Sequence, residues 1–210
     1  MIVLMADIIG STKKKSKSLM ADFKNSVIYI NKTNKRYILS PLTITLGDEF
    51  QGVVKDVQGA FKVMFDLELA LMSLKRSFKL RYVIHEGRIE TKLNRQRAYG
   101  MLGPGLTAAR KQLNAMKSSK TRFKIMLADP VLSSQLSLAM NCYQGITDQW
   151  TPAQQKVVVA FLDEHLDYRK VAAKLKKDPT TMWRRKKSLL VEEVDNLKKL
   201  ISLIINPKLK

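Results

Sequence analysis

The chain has a single cysteine, Cys142, among 210 residues. No internal disulfide can form, and a lone thiol suits a reducing compartment, so a cytoplasmic protein is expected. Long apolar runs are also missing; none approaches the roughly 20 residues that cross a bilayer. The opening "MIVLMADIIG" carries no basic leader, and Asp7 interrupts its apolar stretch, which argues against a signal peptide and against a membrane partner. Proline (6) and glycine (9) are scarce while hydrophobic residues reach 45%, which excludes a disordered chain. Acids are short as well: 18 Asp and Glu face 38 Lys and Arg, a formal charge of +20. Such a field favours polyanions, whether nucleic acid, nucleotide phosphates or an anionic surface. Residues 151–210 carry 14 basic and 7 acidic side chains and residues 1–150 carry 24 and 11, so charge alone picks out no single binding module.

What is present is a change of rhythm along the chain. Residues 2–5 read as a strand that ends at Asp7. Leu19, Phe23, Val27 and Ile30 then recur at helical spacing, and "PLTITLGDEFQGVV" reads as strand, turn and strand. Residues 57–74 form a second helical pattern, and "LRYVIHEGRIETKL" returns to β alternation. Residues 103–116 look helical, "FKIML" looks like a strand, and residues 130–140 look helical again. The order β-α-β-β-α-β followed by α-β-α predicts an α+β domain of the ferredoxin-like kind over residues 1–140. Residues 141–150 read as a linker, and residues 151–210 are helical throughout.

Two acids punctuate the first part. Asp7 closes the first strand, and Asp48 sits at the hairpin turn of "TLGDEFQG". In a β-α-β-β sheet the first strand lies beside the hairpin, which would put the two carboxylates about 5 Å apart. They would repel unless a cation joined them, and Mg²⁺ is the natural candidate, held by one or two carboxylates together with substrate phosphates. Directly after Asp7 come Ile9, Gly10, Ser11 and Thr12 at the start of a helix, where backbone N–H groups face an anion, followed by Lys13. Metal on one side and amides plus ammonium groups on the other describe a triphosphate cradle. A plain hairpin whose acids face water accounts for the same residues. Glu49 reads either as an acid supporting the metal ligands or, slightly favoured, as a solvated turn residue. His85, in an alternating strand, reads as a structural histidine.

The segments "ADIIGST", "TLGDEFQG", "RYVIHEG" and "YGMLGPGLTAAR" stand in the order found in class III nucleotidyl cyclases, which the chain resembles over roughly residues 1–130. "GDEFQG", the "GPG…AAR" helix and a helical tail resemble the SatD family more closely. The cyclase resemblance implies Asp7 and Asp48 as ligands of two Mg²⁺ (or Mn²⁺) ions, with the backbone carbonyl of Ile8 as a third ligand. It implies phosphate binding by residues 9–12, and Arg110 as the cation that stabilises charge on the α-phosphate. Two departures speak against cyclisation. Leu106 stands where cyclases place an Asn four residues before the Arg, and "PLTIT" lacks the Lys that helps choose the base.

The tail has the layout of a helix-turn-helix. Residues 152–162 and 168–175 are helical, Asp178 is placed as an N-cap, and Pro179 as the first residue of a third helix. Lys176 replaces the usual turn glycine. Thr180, Trp183, Arg184 and Lys187 share one face of the third helix; Arg184 would read guanine while Arg185 and Lys187 meet phosphates. A three-helix bundle with Trp183 in its core is the alternative. Leu190, Val194, Leu197, Ile201 and Ile204 then make a long final helix with a coiled-coil seam or a docking face. The expectation is a DNA-binding regulator, homodimeric, whose first domain senses a nucleoside triphosphate with Mg²⁺. An active nucleotidyl cyclase, or a protein- or RNA-interaction protein, are the alternatives.

Overall fold

All seven residues of Ile2–Ile8 (β1) are buried, which marks β1 as a strand covered on both faces. The computed structural model describes residues 1–10, 17–45, 47–74 and 78–207. After β1 come α1 (Lys17–Thr33), β2 (Ile38–Ile44), β3 (Glu49–Val54), α2 (Val57–Met72), β4 (Leu80–Glu86), α3 (Pro104–Ala115), β5 (Phe123–Met126) and α4 (Pro130–Thr147). Helices α5 (Pro152–Asp163), α6 (Tyr168–Leu175), α7 (Pro179–Ser188) and α8 (Val191–Ile205) complete the described chain. It is a mixed α+β structure with one five-stranded sheet and eight α-helices among the described residues. The sheet order is β2-β3-β1-β4-β5. β1 runs antiparallel to both β3 and β4, β2 antiparallel to β3, and β5 parallel to β4.

Pro41 explains why β2 sits at the edge: without an N–H it cannot serve a central ladder. The register slips on either side of Ser40, and Asn31 of α1 fills the gap. Its side chain donates to the Leu42 carbonyl and accepts from the Leu42 N–H, both at 2.8 Å.

Alternation along β1 builds two cores. Leu4, Ala6 and Ile8 pack with Phe23, Phe50 and Leu67 on one face. Val3 and Met5 pack on the other with Val53, Val83 and the α3 residues Leu106, Ala109 and Leu113. α3 approaches closely because glycine meets glycine: a Cβ on Gly87 would come within 2.5 Å of the Gly105 Cα. β4 therefore ends at Glu86, and the β alternation expected through "GRIETKL" is not strand.

The helix starts follow their caps. Asp178 accepts from the Thr181 N–H at 2.9 Å, with Pro179 as the first residue of α7, as the sequence predicts. Thr151 and Gln154 form a capping box at α5. Residues 141–147, expected as part of a linker, are instead the last two turns of α4. Their apolar members point inward: Tyr143 is buried against Phe65 and Phe123. Trp150 is buried too, and its indole N–H donates to the Leu189 carbonyl at 3.1 Å. The first core runs on without a break through Phe161, Val171, Met182, Val194 and Ile201. α8 lies along α4, and Val194 and Ile201 of its apolar seam are buried in this core while Leu190 is exposed.

Beneath that junction lies a buried ionic knot. Arg122 donates to Glu68 (3.0 and 3.3 Å), to Asp148 (2.9 Å) and to the Leu80 carbonyl (2.8 Å), and stacks on Phe123. Lys79 pairs with the same Asp148 at 3.1 Å. Burial and the Glu68 charge push the phenols of Tyr82 and Tyr143 well above the usual tyrosine range. Among the described residues no helix is long and apolar enough to cross a membrane.

Candidate functional site

The odd-numbered residues of β1 face α3, so Asp7 lies on the same side of the sheet as Val3 and Met5. Its register partners are Glu49 on β3 and Arg81 on β4, which share that face. Arg81 Nε donates to Asp7 Oδ1 at 2.9 Å. Glu49 is held from above: Arg110, on α3, lies 3.0 Å from Glu49 Oε1 and donates to Gln51 Oε1 at 3.1 Å. The Thr45 hydroxyl donates to Glu49 Oε1 at 3.3 Å. The site is thus two acids side by side, each answered by an arginine from a different element. Like charges directly opposite on neighbouring strands repel, and the two guanidinium groups cancel that repulsion.

Asp7 is only 3% exposed, and burial raises its carboxyl pKa above the ordinary value. The charge and hydrogen bond of Arg81 act in the opposite direction, and Asp48 adds a smaller upward push. Asp48 is therefore within electrostatic reach of Asp7, but it sits half-buried in the turn. The Gly47 that precedes it adopts φ +81°, a conformation a glycine takes without cost. The turn is stitched to β1 by the Ile8 N–H, which donates to the Asp48 carbonyl at 2.9 Å. Ile9 is partly exposed and Gly10 has φ +73°. Ser11, Thr12 and Lys13 lie outside the described residues.

These placements bear on the expected metal. The Asp7 carboxylate already carries a cation of the protein's own, as does Glu49. Among the described residues no group of three or more His, Cys, Asp or Glu is arranged to hold a metal ion. As placed, the residues do not fit a pair of resident Mg²⁺ ions. Glu49, favoured as a solvated turn residue, is 4% exposed and ion-paired. Its position one residue past the turn makes it, and not Asp48, the register partner of Asp7. Arg81 and Gln51 escaped sequence reasoning, although a signal existed: both occupy inward-facing positions of alternating strands, where a polar side chain needs a partner. His85 is structural: its Nδ1 lies 3.2 Å from the Met126 carbonyl.

Beside Arg110 opens a cleft of about 410 Å³. Thr45, Gln51 and Thr107 supply polar walls, Met101, Leu102 and Leu106 an apolar one, and Tyr99 an exposed ring. The Arg110 side chain is 41% exposed, so its guanidinium belongs to the cleft as much as to Glu49. The volume lies within the range of small-molecule sites, roughly 300–1,000 Å³.

In the tail, Met182 is buried while Trp183 is 49% exposed, so Trp183 does not fill a helical core. Thr180, Arg184, Arg185 and Lys187 are exposed as well. Lys187 pairs with Glu192 at 2.7 Å, and Lys186 takes the other oxygen at 2.7 Å. Lys176 turns the chain between α6 and α7 at φ 52°, a left-handed conformation that costs a non-glycine residue about 1 kcal/mol.

No curated protein matches the sequence. A solved structure described as the catalytic core of a rhodopsin-guanylyl cyclase with converted specificity, in complex with ATPalphaS, is similar at 20% identity. The match has a TM-score of 0.40 and covers 59% of this chain and 75% of that one. The SatD family (SatD) pattern matches residues 1–194. The chain belongs to the SatD family.

Proposed function

We propose that the sheet domain binds a nucleoside phosphate in the cleft beside Arg110, without turning it over, and that α6 and α7 bind DNA. The observation that carries the first half is Arg110 itself, a guanidinium on the wall of a 410 Å³ cleft that also offers an exposed tyrosine ring and an apolar wall. A phosphate would meet Arg110, and a planar base would lie against Tyr99 and Leu102. Mg²⁺ belongs to this reading as the counter-ion of the nucleotide. Leu106 supports binding without cyclisation. It stands where the cyclase resemblance calls for an asparagine, and it is 7% exposed, packed in the second core.

The strand order β2-β3-β1-β4, antiparallel throughout, supports the ferredoxin-like reading of the sheet. Two short helices around the left-handed Lys176, with Trp183, Arg184 and Arg185 turned to solvent, support the helix-turn-helix reading. A homodimer in the cytoplasm completes it, since paired reading helices suit paired half-sites.

Isothermal calorimetry with ATP and GTP, with and without Mg²⁺, tests the nucleotide half. Wild type binds one of them, and Arg110→Ala weakens that binding at least tenfold, as expected for a charged hydrogen bond worth about 1.5–3 kcal/mol. A wild type that binds neither nucleotide ends this reading. For the DNA half, duplex binding should fall steeply between 50 and 200 mM salt and weaken in Arg184→Ala. Binding that ignores salt rules it out.

A further inference from the structure

We propose that Glu49 is a built-in competitor for the phosphate: an incoming anion takes Arg110 from it, and the strength of that internal pair sets the affinity of the cleft. The inference rests on the nucleotide reading above and adds the residue that regulates the same site.

Three observations lead to it. First, the pair is asymmetric. The Glu49 side chain is 5% exposed whereas that of Arg110 is 41% exposed, and the two meet at 3.0 Å. Glu49 is pinned in a strand between β1 and β2, so in any exchange Arg110 is the partner that moves. Second, Arg110 already lines the cleft, so a short rotation exchanges carboxylate oxygens for phosphate oxygens of the same geometry. Third, the other arginine of the site is not available to an incoming anion. Arg81 is committed to Asp7 at 2.9 Å and is itself buried. The Arg110–Gln51 bond at 3.1 Å survives or breaks with the same rotation.

The consequence is a penalty that every anion taking Arg110 must overcome. A monoanion repeats what Glu49 already gives Arg110 and gains little by replacing it. A di- or triphosphate brings more charge than the carboxylate and displaces it. When Arg110 leaves, Glu49 keeps the Thr45 hydroxyl at 3.3 Å, and Asp7 stands opposite it in register. Removing the Glu49 charge also removes the like-charge opposition to Asp7, which offsets part of the cost of losing the Arg110 pair.

The test is calorimetry on full-length protein with AMP, ADP, ATP and inorganic pyrophosphate, using wild type, Glu49→Gln, Glu49→Ser and Glu49→Gln/Arg110→Ala. Glu49→Gln should tighten ATP, ADP and AMP binding by about the same factor, roughly tenfold, because the internal pair costs every ligand that takes Arg110 the same free energy. The double variant should lose the whole gain, because the competitor matters only through Arg110. Glu49→Ser serves the same purpose should Glu49→Gln fold poorly. Equal ATP affinity in wild type and both single variants overturns the inference and leaves the nucleotide reading standing. A gain that persists in the double variant overturns it too, since it would not act through Arg110. Failure of every protein to bind any of these ligands removes both.

Discussion

The acid–base pairs of the sheet and those of the tail use the same chemistry in different solvents. Asp7 with Arg81, and Glu68 with Arg122, are sealed between strands and helices. Lys187 with Glu192, and Lys174 with Asp163, lie in water. Burial strengthens a pair once formed, and it also makes either partner costly to abandon. Exposure makes a pair weak and exchangeable. Buried pairs therefore hold the architecture, and exposed ones leave cations free to meet a polyanion. Arg110 with Glu49 stands between these classes, its acid sealed in the sheet and its guanidinium half-exposed beside the cleft.

The contrast can be broken from its strongest end. Arg122→Ala would leave Glu68 buried without its guanidinium, a loss of about 3–5 kcal/mol, or a fall of roughly 10 °C in melting temperature by calorimetry. A change below about 1 kcal/mol would mean that burial does not separate the two classes. Trp150→Phe asks whether the tail is anchored or merely adjacent. The Leu189 carbonyl loses its donor, so stability should drop by about 1 kcal/mol in urea unfolding, with one transition retained. Two separated transitions would show that tail and sheet fold apart.

Glu192→Gln should have the smallest effect, within about 0.5 kcal/mol at neutral pH. Hydrogen bonds from Lys186 and then Lys187 hold the Glu192 carboxyl at about 2, below its ordinary 4.5. A depressed folded pKa gives a contribution present above pH 4.5 and lost as the pH falls toward 2. Wild type and Glu192→Gln should accordingly converge in stability within that window, as followed by circular dichroism. Any larger effect at neutral pH would make this surface pair behave like a buried one.

Much of the fold is legible locally. β1, the helical faces of α1 and α2, and the Asp178–Pro179 start of α7 follow from periodicity and capping, which act within a few residues. The end of α4 was not legible, because "NCYQGIT" contains a glycine and polar residues that suggest a connector. Tyr143 and the docking of α8 override that local preference. The candidate site was half legible. Asp7 announced itself as a charge at the end of a buried strand, and Arg110 through the family resemblance. Their partners did not, because Arg81 follows Asp7 by 74 residues and Arg110 follows Gln51 by 59.

By itself the sequence determined which faces are apolar, where the helices begin, and that the chain carries a large positive excess, since each of these depends on neighbours or on composition alone. Which acid meets which arginine was decided by tertiary structure. A strand's register brings Glu49, one residue beyond the turn, opposite Asp7, and a one-residue slip would send every side chain to the other face. Pairing across a sheet is a property of three-dimensional register, and no local pattern contains it.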